Sequence, residues 1–187
     1  MKYTDCMVDL ETTGTLPDRA GIIQIAAIKF NLETREVDTE FFDRCLWLPK
    51  WRSWDEGTRT WWGQQRPDIL RGIMVRQEDP HVVMREFVEW VGERNQLRFW
   101  SKPTHFDFMF LSSYCNDLGV TNPFDFREAT DLRSYMRGLY APEPLQELSV
   151  PFIGDAHNAL YDTLHQIQVL FAHCDDARPK VIEEAAE

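Results

Sequence analysis

The sequence predicts a mixed α/β sheet, on three observations. Short apolar, β-branched segments separated by turns fill its N-terminal part, strand-like and helix-like segments alternate in its C-terminal part, and the helical segments carry apolar stripes that need a sheet to cover. The length suits one such unit, because 187 residues with 43% hydrophobic and 13% aromatic side chains can bury a single core.

The first strand spans residues 6–10, short and mostly apolar, and is closed by the turn-prone Thr12-Thr13-Gly14-Thr15. A loop at 17–21 leads to residues 22–30, where Ile22, Ile23, Ile25 and Ile28 favour a strand, and a turn at 31–36 leads to a third strand at 37–42. These three read as an antiparallel succession. Residues 46–65 differ in character: five of the seven Trp fall there among polar and basic side chains, which is not an ordinary core element. Over residues 80–95, Val83, Met84, Phe87, Val88, Trp90 and Val91 recur at three and four, and Asp79-Pro80 suits a helix start. Residues 97–100 form a fourth strand and 106–118 a helix stopped by Gly119. Residues 129–132 make a short fifth strand leading into a helix through Tyr140. In the last helix, 158–174, Leu160, Leu164, Ile167, Phe171 and Cys174 line one face. The reading is therefore a five-stranded mixed sheet flanked by helices over residues 1–175, with a tail at 176–187 that has little to bury and is expected to fray.

Composition narrows the function. With 20 Lys and Arg against 31 Asp and Glu, the net charge is -11, which excludes general attraction to nucleic acid and confines any such contact to a local patch. No apolar run reaches the ~18 residues of a membrane span. Asp5 comes too early for a signal peptide, so a soluble, cytoplasmic protein without a membrane partner is expected. Cys6, Cys45, Cys115 and Cys174 are far apart and read as reduced thiols. A zinc site finds no support, since only His173 and Cys174 are close in sequence and no pair has zinc spacing.

The chemistry begins with Asp9 and Glu11, which at i and i+2 of a strand point to the same side. Among Met7, Val8 and Leu10, two such carboxylates are costly unless a cation compensates them, and a divalent metal is the economical choice. Alone, the pair better describes a solvated strand end. Asp107, the one acid in the aromatic run Phe106-Asp107-Phe108-Met109-Phe110, suits a helix first turn as well as a site. His157 and Asp162 would lie ~140° apart on one helix. A shared site therefore needs His157 in the loop before the helix, where Gly154 makes a loop plausible. Four carboxylates and a histidine suit Mg2+ or Mn2+ and in-line phosphoryl displacement, with the histidine as proton acceptor near neutral pH.

Val8-Asp9-Leu10-Glu11-Thr12-Thr13-Gly14, Phe106-Asp107 and His157-x-x-x-x-Asp162 together resemble, in order, the three motifs of the DEDDh group of 3'-to-5' exonucleases. The resemblance implies a ribonuclease-H-like fold, Asp9, Glu11, Asp107 and Asp162 as ligands of two Mg2+ (Mn2+ substituting), and His157 as general base. Thr58-Arg59-Thr60-Trp61-Trp62, Pro151-Phe152 and residues 156–160 look most like the small phage exonucleases of the exodeoxyribonuclease A type. A mycobacterial exoribonuclease belongs to the same extended family, which leaves both sugars open: DNA is favoured, with trimming of RNA 3' ends as the alternative. Homodimers are common among the small relatives, so a homodimer is one expected assembly. The chain departs from many members before Phe106, where Ser101-Lys102-Pro103-Thr104-His105 replaces a Gly-His-Asn or Gly-Asn-Gly type stretch.

Single-stranded DNA or RNA 3' ends are the expected partners. Around the Trp-rich stretch, Lys50, Arg52, Arg59, Arg66, Arg71 and Arg76 outnumber Asp55, Glu56 and Asp68. Aromatics interleaved with basic residues serve base stacking and phosphate contact, so Trp61 or Trp62 is assigned to stacking, against the alternative that adjacent Trp anchor a helix to the core. Thr12, Thr13 and Gly14 suit contact with the last nucleotide, or simply a turn needing glycine. Leu10, Phe106 and Asn158, inside the three motifs, complete the assigned substrate contacts. Arg133 and Arg137, four apart on a helix, read as solvated surface. A catalytically silent nucleic-acid-binding module is the rival of another class; it should have lost a ligand or the base, and here all five positions are filled.

Overall fold

The structure, a computed structural model, describes residues 2–177. Three antiparallel strands come first: β1 (Asp5–Thr12), β2 (Ile22–Phe30) and β3 (Val37–Leu46). β4 (Gln77–Glu78) adds to the end of β3 in parallel, while β5 (Arg98–Ser101) pairs parallel with β1 and β6 (Thr130–Asp131) parallel with β5. The sheet order is β4-β3-β2-β1-β5-β6. It has six strands where five were expected, because β4 is two residues long and a segment that short carries no periodicity.

The Trp-rich stretch folds as two helices, α1 (Glu56–Gln65) and α2 (Pro67–Met74). The Asp55 side chain caps α1 by accepting from Thr58 N–H, and Pro67 opens α2. α3 (Pro80–Val91) starts at the expected Asp79 cap but ends at Gly92, whose φ of 99° closes it short of residue 95. α4 (Thr104–Asp117), α5 (Leu132–Tyr140) and α6 (Ala159–Asp176) follow, the last capped by Asn158. The expected frayed tail falls largely outside the described residues; Asp176 still belongs to α6.

Alternation along β1 separates two cores. Cys6, Val8 and Leu10 pack with Val83, Met84 and Phe87 of α3 and Phe110, Leu111 and Tyr114 of α4. Met7 points the other way, to Leu132 and Met136 of α5 and Ile167 and Leu170 of α6. A third cluster of Ile23, Cys45, Trp62 and Ile73 seats α1 and α2 against the ends of β2 and β3. It forms where the β1–β2 register slips between Glu11 and Thr12, which gives β2 one extra residue. All four cysteines are buried and none forms a disulfide. No helix among the described residues is long and apolar enough to cross a membrane.

One hydroxyl ties α4 to the start of β2: Ile22 N–H donates to Tyr114 Oη at 2.8 Å, with both residues at most 1% exposed. Tyr114→Phe leaves that amide buried without an acceptor. Chemical denaturation should show a loss of about 1–3 kcal/mol with an unchanged circular dichroism spectrum.

Candidate active site

The site forms where β1 outruns its neighbour. Pairing of β1 with β5 stops at Met7, so the strand edge beyond is open, and there Leu10 N–H donates to Asp107 Oδ1 at 3.2 Å. Asp107 stands in the first turn of α4, only 2% exposed, and thus serves the strand edge as well as the pocket. Asp9 and Glu11 continue the row of Met7 toward α6. There Gln166 Nε2 donates to Asp9 Oδ1 at 2.7 Å.

His157 lies in the loop before α6, as the spacing required. Its φ of 64° turns its backbone N–H to Asp162 Oδ2 at 2.8 Å. That left-handed backbone costs about 1–3 kcal/mol at a residue with a Cβ, and the surroundings hold it in place. Arg66 donates to the Ala156 carbonyl and, at 3.2 Å, to Asp155 Oδ1. Gly154, with φ 96°, brings the backbone so close to the Tyr161 ring that a Cβ would sit 2.4 Å from it. Gln24, opposite Glu11 on β2, anchors the start of α6: its Oε1 accepts from Ala159 N–H at 3.2 Å and its Nε2 donates to Asn158 Oδ1 at 3.3 Å. As a result the ligand atoms of Glu11, His157 and Asp162 fall within 4.8 Å of one another.

Asp9, Glu11, Asp107, Asp162 and His157 all line one open cavity of about 420 Å³, with Leu10, Phe106 and Lys102 on its walls. Among the described residues no Lys or Arg comes within ion-pair distance of the four carboxylates. Burial first, then mutual repulsion, pushes Asp9 well above the ordinary carboxyl range and Glu11 to about 8. Burial raises Asp107 to about 7 against the hydrogen bonds from Ser101 and Leu10, and raises Asp162 against the His157 amide. Oxygen donors that resist ionisation until a cation arrives form a donor set for a hard divalent ion.

The other assigned contacts are placed differently. Trp61 is 38% exposed and meets the His157 ring edge to face, centroids 4.8 Å apart. Trp62 corrects the expectation of stacking: it is 2% exposed and its indole N–H donates to Thr12 carbonyl oxygen at 3.2 Å, so it offers no face to a base. Thr12 and Thr13 are buried, their hydroxyls donating to Gly14 and Ser53 carbonyls at 2.7 and 2.8 Å, and these three turn residues do not line the cavity. A Cβ on Gly14 would lie 2.9 Å from the Asp55 Cβ, which is the turn requirement in atomic form. Asn158 spends its side chain on the α6 cap. Arg52, counted among the phosphate-facing cations, is 6% exposed and pairs with Asp117. Sequence reasoning missed Gln24, Lys102 and Gln166. Gln166, four residues after Asp162 on α6, was within reach of helical spacing.

The family described as the 3'-5' exoribonuclease Rv2179c-like domain matches residues 4–173. The chain belongs to this family. The chain is thus a 3'-5' exonuclease, as the three motifs implied, and its strand–helix arrangement bears out the ribonuclease-H-like reading apart from the strand count. It is 22% identical to the exodeoxyribonuclease of Enterobacteria phage T4, over 89% of this chain and 87% of that one. Among solved structures it is similar to the nuclease domain of 3'hExo, a DEDDh family member bound to rAMP, with a TM-score of 0.62 and 16% identity over 93% of both chains. It is also similar to E. coli exonuclease I in complex with single-stranded DNA, with a TM-score of 0.68, 18% identity and 91% of this chain covered. The chain spans only 40% of that exonuclease I chain.

A carboxyl whose pKa is raised by folding favours the folded state when protonated and opposes it once ionised. Metal-free protein should therefore lose stability as pH climbs from the ordinary carboxyl range through about 8. Asp107→Asn removes one of the four charges and keeps an oxygen for Leu10 N–H. In EDTA it should melt above the parent chain at about pH 9, by a margin that shrinks as pH falls and closes only near the ordinary carboxyl range. A variant less stable than its parent at the higher pH would contradict this electrostatic account.

Proposed function

We propose that the chain hydrolyses the terminal phosphodiester bond at the 3' end of a single-stranded nucleic acid, releasing nucleoside 5'-monophosphates by a two-metal mechanism with His157 as general base. The observation that carries this reading is the convergence of four carboxylates from β1, α4 and α6 on one cavity, uncompensated by any ion pair among the described residues, with an imidazole at its edge.

Asp9, Glu11, Asp107 and Asp162 would hold two Mg2+, with Mn2+ able to substitute, since the donors are oxygens and burial leaves them short of positive charge. When bound, such ions supply charge neutralisation and Lewis acidity to an in-line displacement. Gln166 fixes the Asp9 carboxylate, and Leu10 N–H fixes that of Asp107. His157 is exposed and stands where it can take the proton of the attacking water, while its own amide orients Asp162. The water oxygen forms the new bond to phosphorus, the bond to the 3' oxygen breaks, and that oxygen leaves with the shortened strand. Phe106 on the wall and Trp61 beside His157 offer apolar surface to the terminal nucleotide.

DNA is the first substrate in this reading, supported by the likeness to the phage exodeoxyribonuclease over most of both chains. RNA is the second, supported by the exoribonuclease description of the family. The test is incubation with 5'-labelled single-stranded DNA and RNA of one sequence, with Mg2+ or with EDTA. A ladder shortening from the 3' end only with Mg2+ is expected, and the faster substrate identifies the sugar. Absence of cleavage with both Mg2+ and Mn2+ would return the chain to the non-catalytic binding class.

Two substitutions separate the roles. Asp162→Asn should nearly abolish turnover with little loss of stability, because it removes a ligand without opening a cavity. His157→Asn, which tolerates the left-handed backbone and keeps the amide bond to Asp162, should slow turnover by about 10²–10⁴-fold. Metal binding followed by calorimetry should survive His157→Asn and weaken in Asp162→Asn.

A further inference from the structure

A second groove opens directly beside the catalytic cavity. It has a volume of about 890 Å³, and Lys102 and Pro103 line both. Its apolar surface is unusually open: Phe126 is 66% exposed and Met109 51% exposed. Arg127 lies over one face of the Phe126 ring at 4.4 Å. Around these side chains stand Lys102, His105, Arg133 and Arg137, all exposed.

Three cationic side chains of this groove have no side-chain partner in contact among the described residues. Among the described residues Lys102, Arg133 and Arg137 form no ion pair or hydrogen bond through their side chains, although acids outnumber bases in the chain by 31 to 20. Most other arginines of the fold are paired: Arg44 with Glu78 and Glu86, Arg52 with Asp117, Arg66 with Asp68 and Asp155, and Arg76 with Asp43. The one acid on the groove wall, Asp131, is committed to backbone amides, accepting from Ser134 N–H at 2.7 Å and Thr104 N–H at 3.1 Å. Glu143 and Glu147 lie beyond the arginines, in a separate cavity that Arg133 and Arg137 also line. Arg133 and Arg137, four apart on α5, both face the groove, so the helix presents two guanidinium groups to one path.

We propose that this groove holds the nucleotides immediately 5' of the scissile bond, with Lys102, Arg133 and Arg137 meeting successive phosphates and Phe126 and Met109 supporting bases. The inference rests on the exonuclease reading of the adjoining cavity and adds the route by which the strand leaves it. The cavity itself carries one Lys or Arg on its wall, Lys102, so cationic side chains for the upstream phosphates have to come from beside it. The groove supplies them, joined to the cavity at the shared Lys102–Pro103 wall. Alternation of cationic and apolar surface is the chemistry of sequence-tolerant single-strand binding.

The test is fluorescence anisotropy with short fluorescein-labelled oligothymidylate and oligouridylate in Mg2+, using the chain with Asp162→Asn so that the strands stay intact. Adding Arg133→Glu and Arg137→Glu should weaken binding of both strands at least about tenfold and flatten the plot of log affinity against log salt by about 0.7 for each phosphate that is no longer neutralised. Adding Arg85→Glu and Arg94→Glu, an equal change of charge on exposed residues away from the groove, should shift affinity by less than about twofold. Phe126→Ala should weaken binding while leaving the salt slope unchanged. Wild-type affinity and slope in the Arg133→Glu, Arg137→Glu chain would overturn the proposal, as would equal losses in the control pair. Because the readout is binding, failure of the nuclease reading would appear separately, as an absence of strand cleavage by the unmodified chain.

Discussion

Unbalanced negative charge at the end of the central strand is the constraint around which the rest of the molecule is arranged. Asp9, Glu11, Asp107 and Asp162 are brought together without a lysine or arginine in ion-pair range among the described residues, and each carboxyl is raised by its burial. Folding tolerates that arrangement because each acid has a neutral donor or an opening to the cavity. Leu10 N–H serves Asp107, Gln166 serves Asp9 and the His157 amide serves Asp162. The remaining deficit is a driving force for cation binding, so the same electrostatic cost that weakens the empty fold prepares its chemistry.

The supporting frame is built from ordinary packing. Two apolar cores on opposite faces of the sheet, one with α3 and α4 and one with α5 and α6, hold the helices that carry Asp107 and Asp162. Buried polar residues do the finer alignment: Gln24 binds the first residues of α6, and Trp62 uses its indole N–H to hold the Thr12 carbonyl at the end of β1. The loop before α6 depends on Arg66 from a different part of the chain. None of these three side chains lines the cavity, yet each holds the residue next to Glu11 or to His157 in the chain.

Much of this was legible in the sequence. Ile-rich β2 and the striped α3 and α6 announce themselves because burial on one face imposes a period, and Asp9 and Glu11 share a face because strand geometry allows nothing else. For His157 and Asp162 to share a site, their spacing required loop and helix, and Gly154 upstream suited the loop. Other parts have no local signature. β4 exists only through two pairings with β3, and α1 and α2 hide behind Gly57, Gly63 and Gly72 and a crowd of tryptophans whose burial depends on partners far away in the chain. Trp61 and Trp62 are adjacent in sequence but differ in fate, since successive helical residues point about 100° apart. Arg52 and Arg133 look alike as letters; tertiary packing buries the first and leaves the second facing a groove.

The two-faced construction also has a consequence for biosynthesis. β1 supplies the first two of the clustered carboxylates, α4 delivers the third, and the fourth arrives on α6, the last helix described. A chain emerging from the ribosome therefore carries an incomplete centre until α6 has been made and has docked beside β1 and β2.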